Sequence, residues 1–181
     1  SLAPVTFPGR ESLFVAWQGS VELRAGTERI LLEPYDMLYL PLGASASVVS
    51  TGDSEARLVV FTAPAERAHA VQVARFREVA QREERIRRLK GKDVYLVFDV
   101  SERADKLVAG FTFFQPFQRS WPPHNHTDQE EIYFFIKGHG AMEVYESPET
   151  LHFVVQVGEG DAVTIPVLNY HPVFSQEEPL E

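Results

Sequence analysis

Pro122-Pro123-His124-Asn125-His126-Thr127-Asp128-Gln129-Glu130-Glu131-Ile132-Tyr133-Phe134-Phe135, with Gly138 shortly after, is the most informative stretch of the chain. On extended backbone, residues two apart point to the same face, so His124 and His126 project together while Asn125 points away. A turn through Thr127 to Glu130 can bring Glu131 back beside them. A fourth group comes from far along the chain, where Pro166 ends a strand and His171 follows on another. Three neutral imidazoles and one carboxylate suit a divalent ion (Zn, Mn, Fe, Ni or Co) with one or two positions left for water or substrate. Cysteine is absent, so the ligands of any metal must be imidazole and carboxylate, and no disulfide framework exists.

Outward from this stretch the chain reads as short β-branched and aromatic runs. On the N-terminal side they are Leu13 to Trp17, Val21 to Arg24, Ile30 to Leu32, Met37 to Leu40, Ser47 to Val49 and Leu58 to Phe61. Gly19, Gly26, Pro34, Pro41, Gly43 and Gly52 fall between the runs, as turn residues should. Strands return from Asp93: Val94 to Val100, Val108 to Phe114, Ile132 to Ile136, Ala141 to Tyr145, Phe153 to Val157 and Ala162 to Ile165. Between Ala63 and Lys92, Val73, Phe76, Val79, Ile86 and Leu89 recur at helix-like spacing among Arg and Glu residues. That segment is expected to be a partly helical connector whose charges, Lys92 included, lie on a solvated face.

The halves echo one another. Tyr35-Asp36-Met37-Leu38-Tyr39-Leu40-Pro41 parallels Gly160-Asp161-Ala162-Val163-Thr164-Ile165-Pro166, as a duplicated domain would. The expected organisation is an all-β pair of antiparallel β-barrel, jelly-roll-like lobes over 1–62 and 93–181, joined by the connector 63–92.

The net charge of -9 argues against nucleic acid, which needs clustered Lys and Arg, and against anionic membranes. Without a long apolar run or a basic, apolar leader at Ser1 to Arg10, the expected location is cytoplasmic.

The quoted segment and the region of His171 resemble the two motifs of the cupin superfamily. The first has the form HxH, three or four residues, Glu, six residues, Gly, here His124-Asn125-His126 through Glu131 to Gly138. The second, Gly, five residues, Pro-x-Gly-x-x-His, here runs from Gly160 through Pro166 to His171, with Leu168 where the motif has Gly. Glu130 also satisfies the shorter first-motif spacing, but the distance to Gly138 favours Glu131. Asp128 reads as solvated, and His69, His139 and His152 fit neither motif. In the first half Ala46 stands at the ligand position and no HxH occurs, so that lobe is expected to bind no metal and to serve packing, homodimer contacts or a wall of the site. The chain stops at Glu181, where a further strand is expected after the second motif. The expectation is therefore a lobe lacking that strand or closed by another subunit.

Ser120 to His126, Glu130-Glu131-Ile132-Tyr133, Val144-Tyr145, Ile165-Pro166 and Asn169-Tyr170-His171-Pro172-Val173 are similar to the bacterial 5-deoxy-glucuronate isomerases of inositol catabolism. That family is a bicupin with a degenerate N-terminal lobe. The related 5-dehydro-4-deoxyuronate isomerases share the short HxH-to-Glu spacing. The resemblance implies metal-dependent aldose to ketose isomerisation of a small-molecule sugar acid. Glu130, Glu143 and Tyr133 are the proton-shuttle candidates, with Tyr145 beside them, although Tyr133 and Tyr145 also read as aromatic core. Arg119 and Lys137 flank the motif and are candidates to hold the substrate carboxylate. Two alternatives remain from the superfamily: an Fe(II)-dependent dioxygenase and a non-catalytic sugar-binding or sensory cupin.

Overall fold

The computed structural model describes residues 3–51 and 55–181; the turn expected at Gly52 lies outside them. Among the described residues the chain is strands and loops with little helix. Its only α-helix there is α1 (Phe76–Val79), with 3-10 turns at Glu83–Arg85 and Val100–Glu102. No helix among the described residues is long and apolar enough to cross a membrane. The chain forms two units, Ser1–Arg87 with Tyr95–Phe111, and Arg88–Val94 with Thr112–Glu181.

The first unit contains β1 (Val5–Thr6), β2 (Arg10–Gln18), β3 (Val21–Ala25), β4 (Glu28–Leu32), β5 (Met37–Leu40), β6 (Ser45–Thr51), β7 (Arg57–Pro64) and β8 (Gln72–Ala74). They form two antiparallel sheets, ordered β1-β6-β3-β4 and β7-β2-β5-β8. Strands β2 and β5 are buried on both faces. Phe14, Ala16, Leu38 and Leu40 enter one core with Leu23 and Leu32, while Leu13, Val15, Met37 and Tyr39 enter another with Val97 and Phe98. This double burial is why both strands read as unbroken apolar runs and not as alternating ones.

The expected boundaries at 62 and 92 therefore need correction. The supposed connector is packed into the first unit: β8 pairs with β5, with Leu38 opposite Val73, and Val79 lies in the same core as Met37. Only α1 and one 3-10 turn are helical there, because strand pairing claims residues that have helix-like spacing. Glu11, at 0% exposure, also belongs to this unit. Its carboxylate accepts hydrogen bonds from the Tyr39 hydroxyl at 2.6 Å and from the backbone N–H groups of Asp105, Lys106 and Leu107 at 2.9, 2.7 and 2.8 Å. A buried charge is tolerable with that many donors. Burial, then Glu11 itself, holds the Tyr39 phenol well above its ordinary pKa.

The unit boundary runs within β9 (Ile86–Leu89), β10 (Lys92–Phe98) and β11 (Ala109–Phe114). The second unit then holds β12 (Glu131–Phe134), β13 (His139–Ser147), β14 (Thr150–Gly158), β15 (Ala162–Ile165) and β16 (Val173–Ser175). Strand β12 pairs antiparallel with β15, and β13 lies between β14 and β16. Phe114, Phe135, Met142, Val144, Val157, Val163, Ile165, Val173 and Leu180 form its core. A strand does follow the second motif: β16 pairs with β13, and Leu180 bridges Phe114.

The duplication seen in the sequence extends to backbone detail. Tyr35 and Gly160 both have positive φ, 73° and 90°. Asp36 and Asp161 each accept a hydrogen bond from the backbone N–H three residues earlier, Glu33 at 3.1 Å and Gly158 at 2.8 Å. The following turns match as well, with Ala44 N–H donating to Pro41 O at 3.0 Å and Asn169 N–H to Pro166 O at 3.2 Å. Gly43 and Leu168 occupy the same left-handed place, at φ 82° and 69°.

Candidate metal centre

Four side chains of the second unit converge, with one ligand atom each from His124, His126, Glu131 and His171 lying within 4.8 Å of one another. Glu131 opens β12 opposite Ile165, and Tyr133 sits two residues on opposite Val163. Both partners belong to the core. Strand alternation thus turns Glu131 and Tyr133 inward and leaves Ile132 outward and half exposed. Glu130 precedes the strand and is exposed.

His124 and His126 lie on irregular backbone and not on the expected strand. Their carbonyls are nevertheless tied to the second motif, accepting from His171 N–H at 3.3 Å and Leu168 N–H at 2.7 Å. The Asn125 amide donates to Leu168 O at 3.0 Å. The motif's usual Gly position is therefore the point where the two motifs are joined, and Leu168 takes the left-handed conformation needed there.

His171 is carried beside β16. Tyr170 bridges Tyr145 on β13, and Val173 pairs with Met142. His171 and Val173 share the inner face and are 1% and 0% exposed. The imidazole Nδ1 lies 3.0 Å from Asn169 O. A carbonyl can only accept, so Nδ1 carries the proton and Nε2 presents a lone pair. That Nε2 is 2.8 Å from Glu131 Oε2 yet has no hydrogen-bond partner. A buried lone pair facing a carboxylate at this distance is costly unless a proton or a metal cation lies between them. The donor set therefore fits a divalent metal ion.

The rest of the cluster agrees. His126 Nε2 is 3.1 Å from the same Glu131 oxygen, and the His124 and His171 rings are 4.4 Å apart. Burial, then the neighbouring His171, pushes the His124 imidazole down to about 4, so it is neutral and able to ligate at neutral pH. Burial pushes the Glu131 carboxyl up, but His171, His126 and His124 outweigh this and hold it below the usual carboxylate range. The Tyr133 ring is 6.0 Å from that of His171. Burial, then Glu131, raises its phenol far above the ordinary value, so it stays protonated.

The other expected site residues are not brought to the cluster. On β13, Met142 and Val144 point into the core, so Glu143 and Tyr145 face the other way. There Glu143 accepts from the Tyr145 hydroxyl at 2.7 Å and from Arg119 at 3.2 Å. Arg119 also covers the rings of Trp121 and Phe174, at 4.2 and 4.7 Å. Lys137 is exposed and pairs with Glu181 at 3.3 Å. Asp128 is exposed. His139 and His152 are exposed and pair with Glu178 and Glu146, and His69 lies in the first unit.

Lys92 is a residue that sequence reasoning misplaced. It begins β10 and is not on a solvated helix face. Its ammonium donates to the buried Ser120 hydroxyl at 2.8 Å and lies 5.2 Å from the centroid of the core ring of Phe114. Burial lowers its pKa, and the field of Glu131 partly restores it.

Comparison with known proteins agrees with this description. A family model, the KduI/IolB family, matches residues 3–177. An IolB-like protein from Salmonella typhimurium LT2 is 24% identical with a TM-score of 0.79, covering 98% of this chain and 76% of its own. Bacillus subtilis oxalate decarboxylase, studied for its Mn(II) centres, is 14% identical with a TM-score of 0.72, covering 96% and 62%. A Lactobacillus farciminis oxalate decarboxylase in complex with formate is 13% identical with a TM-score of 0.70, covering 96% and 69%. These likenesses establish an all-β cupin fold. No curated protein matches the chain significantly.

Proposed function

Because the chain belongs to the KduI/IolB family, we propose that it is a metal-dependent aldose–ketose isomerase acting on a deoxy-uronate such as the 5-deoxy-glucuronate of inositol catabolism. The observation that carries this reading is the buried, unpartnered Nε2 of His171 aimed at Glu131 within a three-His, one-Glu cluster. His124, His126, Glu131 and His171 would hold the ion. When bound, a divalent ion supplies Lewis acidity that polarises the sugar carbonyl and neutralises charge developing on its oxygen.

The chain's own groups do the rest. Asn169 O fixes the His171 tautomer, and Leu168 N–H anchors the backbone that carries His126. Tyr133 keeps its proton and can donate a hydrogen bond to a substrate oxygen, but does not act as a base. Glu143 faces away from the cluster, and the exposed Glu130, at the rim beside Glu131 in sequence, is proposed to move the proton between adjacent carbons.

The test is incubation of metal-loaded protein with 5-deoxy-glucuronate, and separately with a 5-dehydro-4-deoxyuronate, in D2O without oxygen. Conversion of one sugar to its isomer with deuterium entering the product supports the reading. Failure to convert either, or a requirement for oxygen, overturns it.

A further inference from the structure

The proposed substrate is an anion, and both cations that sequence reasoning offered for its carboxylate are committed elsewhere. Arg119 is held by Glu143 between two aromatic rings on the far face of β13, and Lys137 pairs with Glu181. Lys92 is placed differently. Its stem lies against Phe114, a member of the core of the second unit. Its ammonium is anchored by Ser120, whose backbone N–H donates to Val173 O at 2.9 Å, two residues past His171 on the same inner face. Glu131 raises the pKa of this ammonium, and the ammonium in turn lowers that of His124. An ammonium has three donors and Ser120 accepts from one, so two can meet a carboxylate. A half-buried Lys with a single neutral hydroxyl as its anchor is expensive if its only duty is packing, since an apolar side chain of that length would fill the same space more cheaply. The expense is recovered when an anion docks, because a charge-assisted hydrogen bond in a partly dry site is among the stronger ones.

We infer that Lys92 receives the substrate's carboxylate beside the His124, His126, Glu131 and His171 cluster and thereby selects sugar acids over neutral sugars; this rests on the reading of the protein as a sugar-acid isomerase.

The test uses the full, metal-loaded chain titrated calorimetrically with two probes, D-glucuronate and D-glucose, for wild type, Lys92→Met and Lys92→Arg. Metal content and Tm are measured alongside. The wild type is expected to prefer glucuronate at least tenfold. Lys92→Met should lose that preference while keeping metal and Tm, and Lys92→Arg should keep most of it. On the isomerisable substrate, Lys92→Met should raise KM tenfold or more with a much smaller change in kcat. A preference that survives in Lys92→Met overturns the assignment of Lys92 and leaves the isomerase reading standing. Absence of a preference in the wild type overturns the inference, while the isomerase reading stands or falls on turnover of the deoxy-uronates. Loss of metal or of fold in Lys92→Met, with no selective loss in Lys92→Arg, assigns Lys92 a structural role and overturns the inference.

Discussion

The choice between two adjacent carboxylates comes down to side-chain direction. Glu131 opens β12 facing Ile165 and the imidazoles, whereas Glu130 lies outside the strand and exposed. Glu131→Gln should therefore strip the metal, and Glu130→Gln should retain it while turnover falls by tenfold or more if Glu130 moves the proton. Metal analysis of the two purified variants checks this, with the reverse pattern identifying Glu130 as the ligand. His124 makes a separate prediction in metal-free protein. Its imidazole titrates near 4 in the folded chain, below the ordinary value of 6.5. Between those values the unfolded state binds more protons, so His124 makes stability rise with pH from about 4 to 6.5. Tm of the metal-free protein should climb over that window, and His124→Gln should reduce the climb.

Among the elements, the turn between β15 and β16 carries the clearest cost. Leu168 is 54% exposed and sits at φ 69°, where a β-carbon costs roughly 1–2 kcal/mol. Its equivalent in the first unit is Gly43, which has no such cost. Glycine loses roughly 0.5–1 kcal/mol of chain entropy on ordering, so Leu168→Gly should gain about 0.5–1 kcal/mol, or ~2 °C in Tm. Thermal denaturation measures it, and a fall in Tm would show that the Leu168 side chain contributes packing that its exposure does not suggest. The Leu168 N–H bond to His126 O and the Asn125 bond to Leu168 O need only the backbone of residue 168, so metal content should not change.

On the scale of the whole chain, two lobes with matching turns differ in the side chain at the second motif's last position. Ala46 stands where the second lobe has His171, and it is 3% exposed in an apolar core, paired with Val5 and Ala25. An ion there would meet no donor in place of the imidazole. One ion per chain is expected, and His171→Ala should bring that number to zero or near it. Elemental analysis giving two ions, or one that survives His171→Ala, would contradict the division of labour.

What the sequence determined is what short-range pattern controls. Met37–Leu40 and Ala162–Ile165 coincide with strands as read, because β-rich runs bounded by turn residues have few other options. That His124, His126, Glu131 and His171 cluster was legible because their identity and spacing lie in two short motifs, even though His171 is distant in the chain. The remainder depended on which strands pair. Val73 and Val79 have helix-like spacing, yet β8 joins β5 and Val79 enters the first unit's core, a choice made by burial and not by period. Glu143 could be assigned a face only once Met142 and Val144 were known to be inward, since the two-residue period fixes faces relative to one another and not to the interior. Lys92 looked like one charge among many in a polar segment, and only the approach of Ser120 and Phe114, both distant in sequence, turned it inward. Tertiary structure decided these positions because each depends on the desolvation of a side chain by partners that no local window contains.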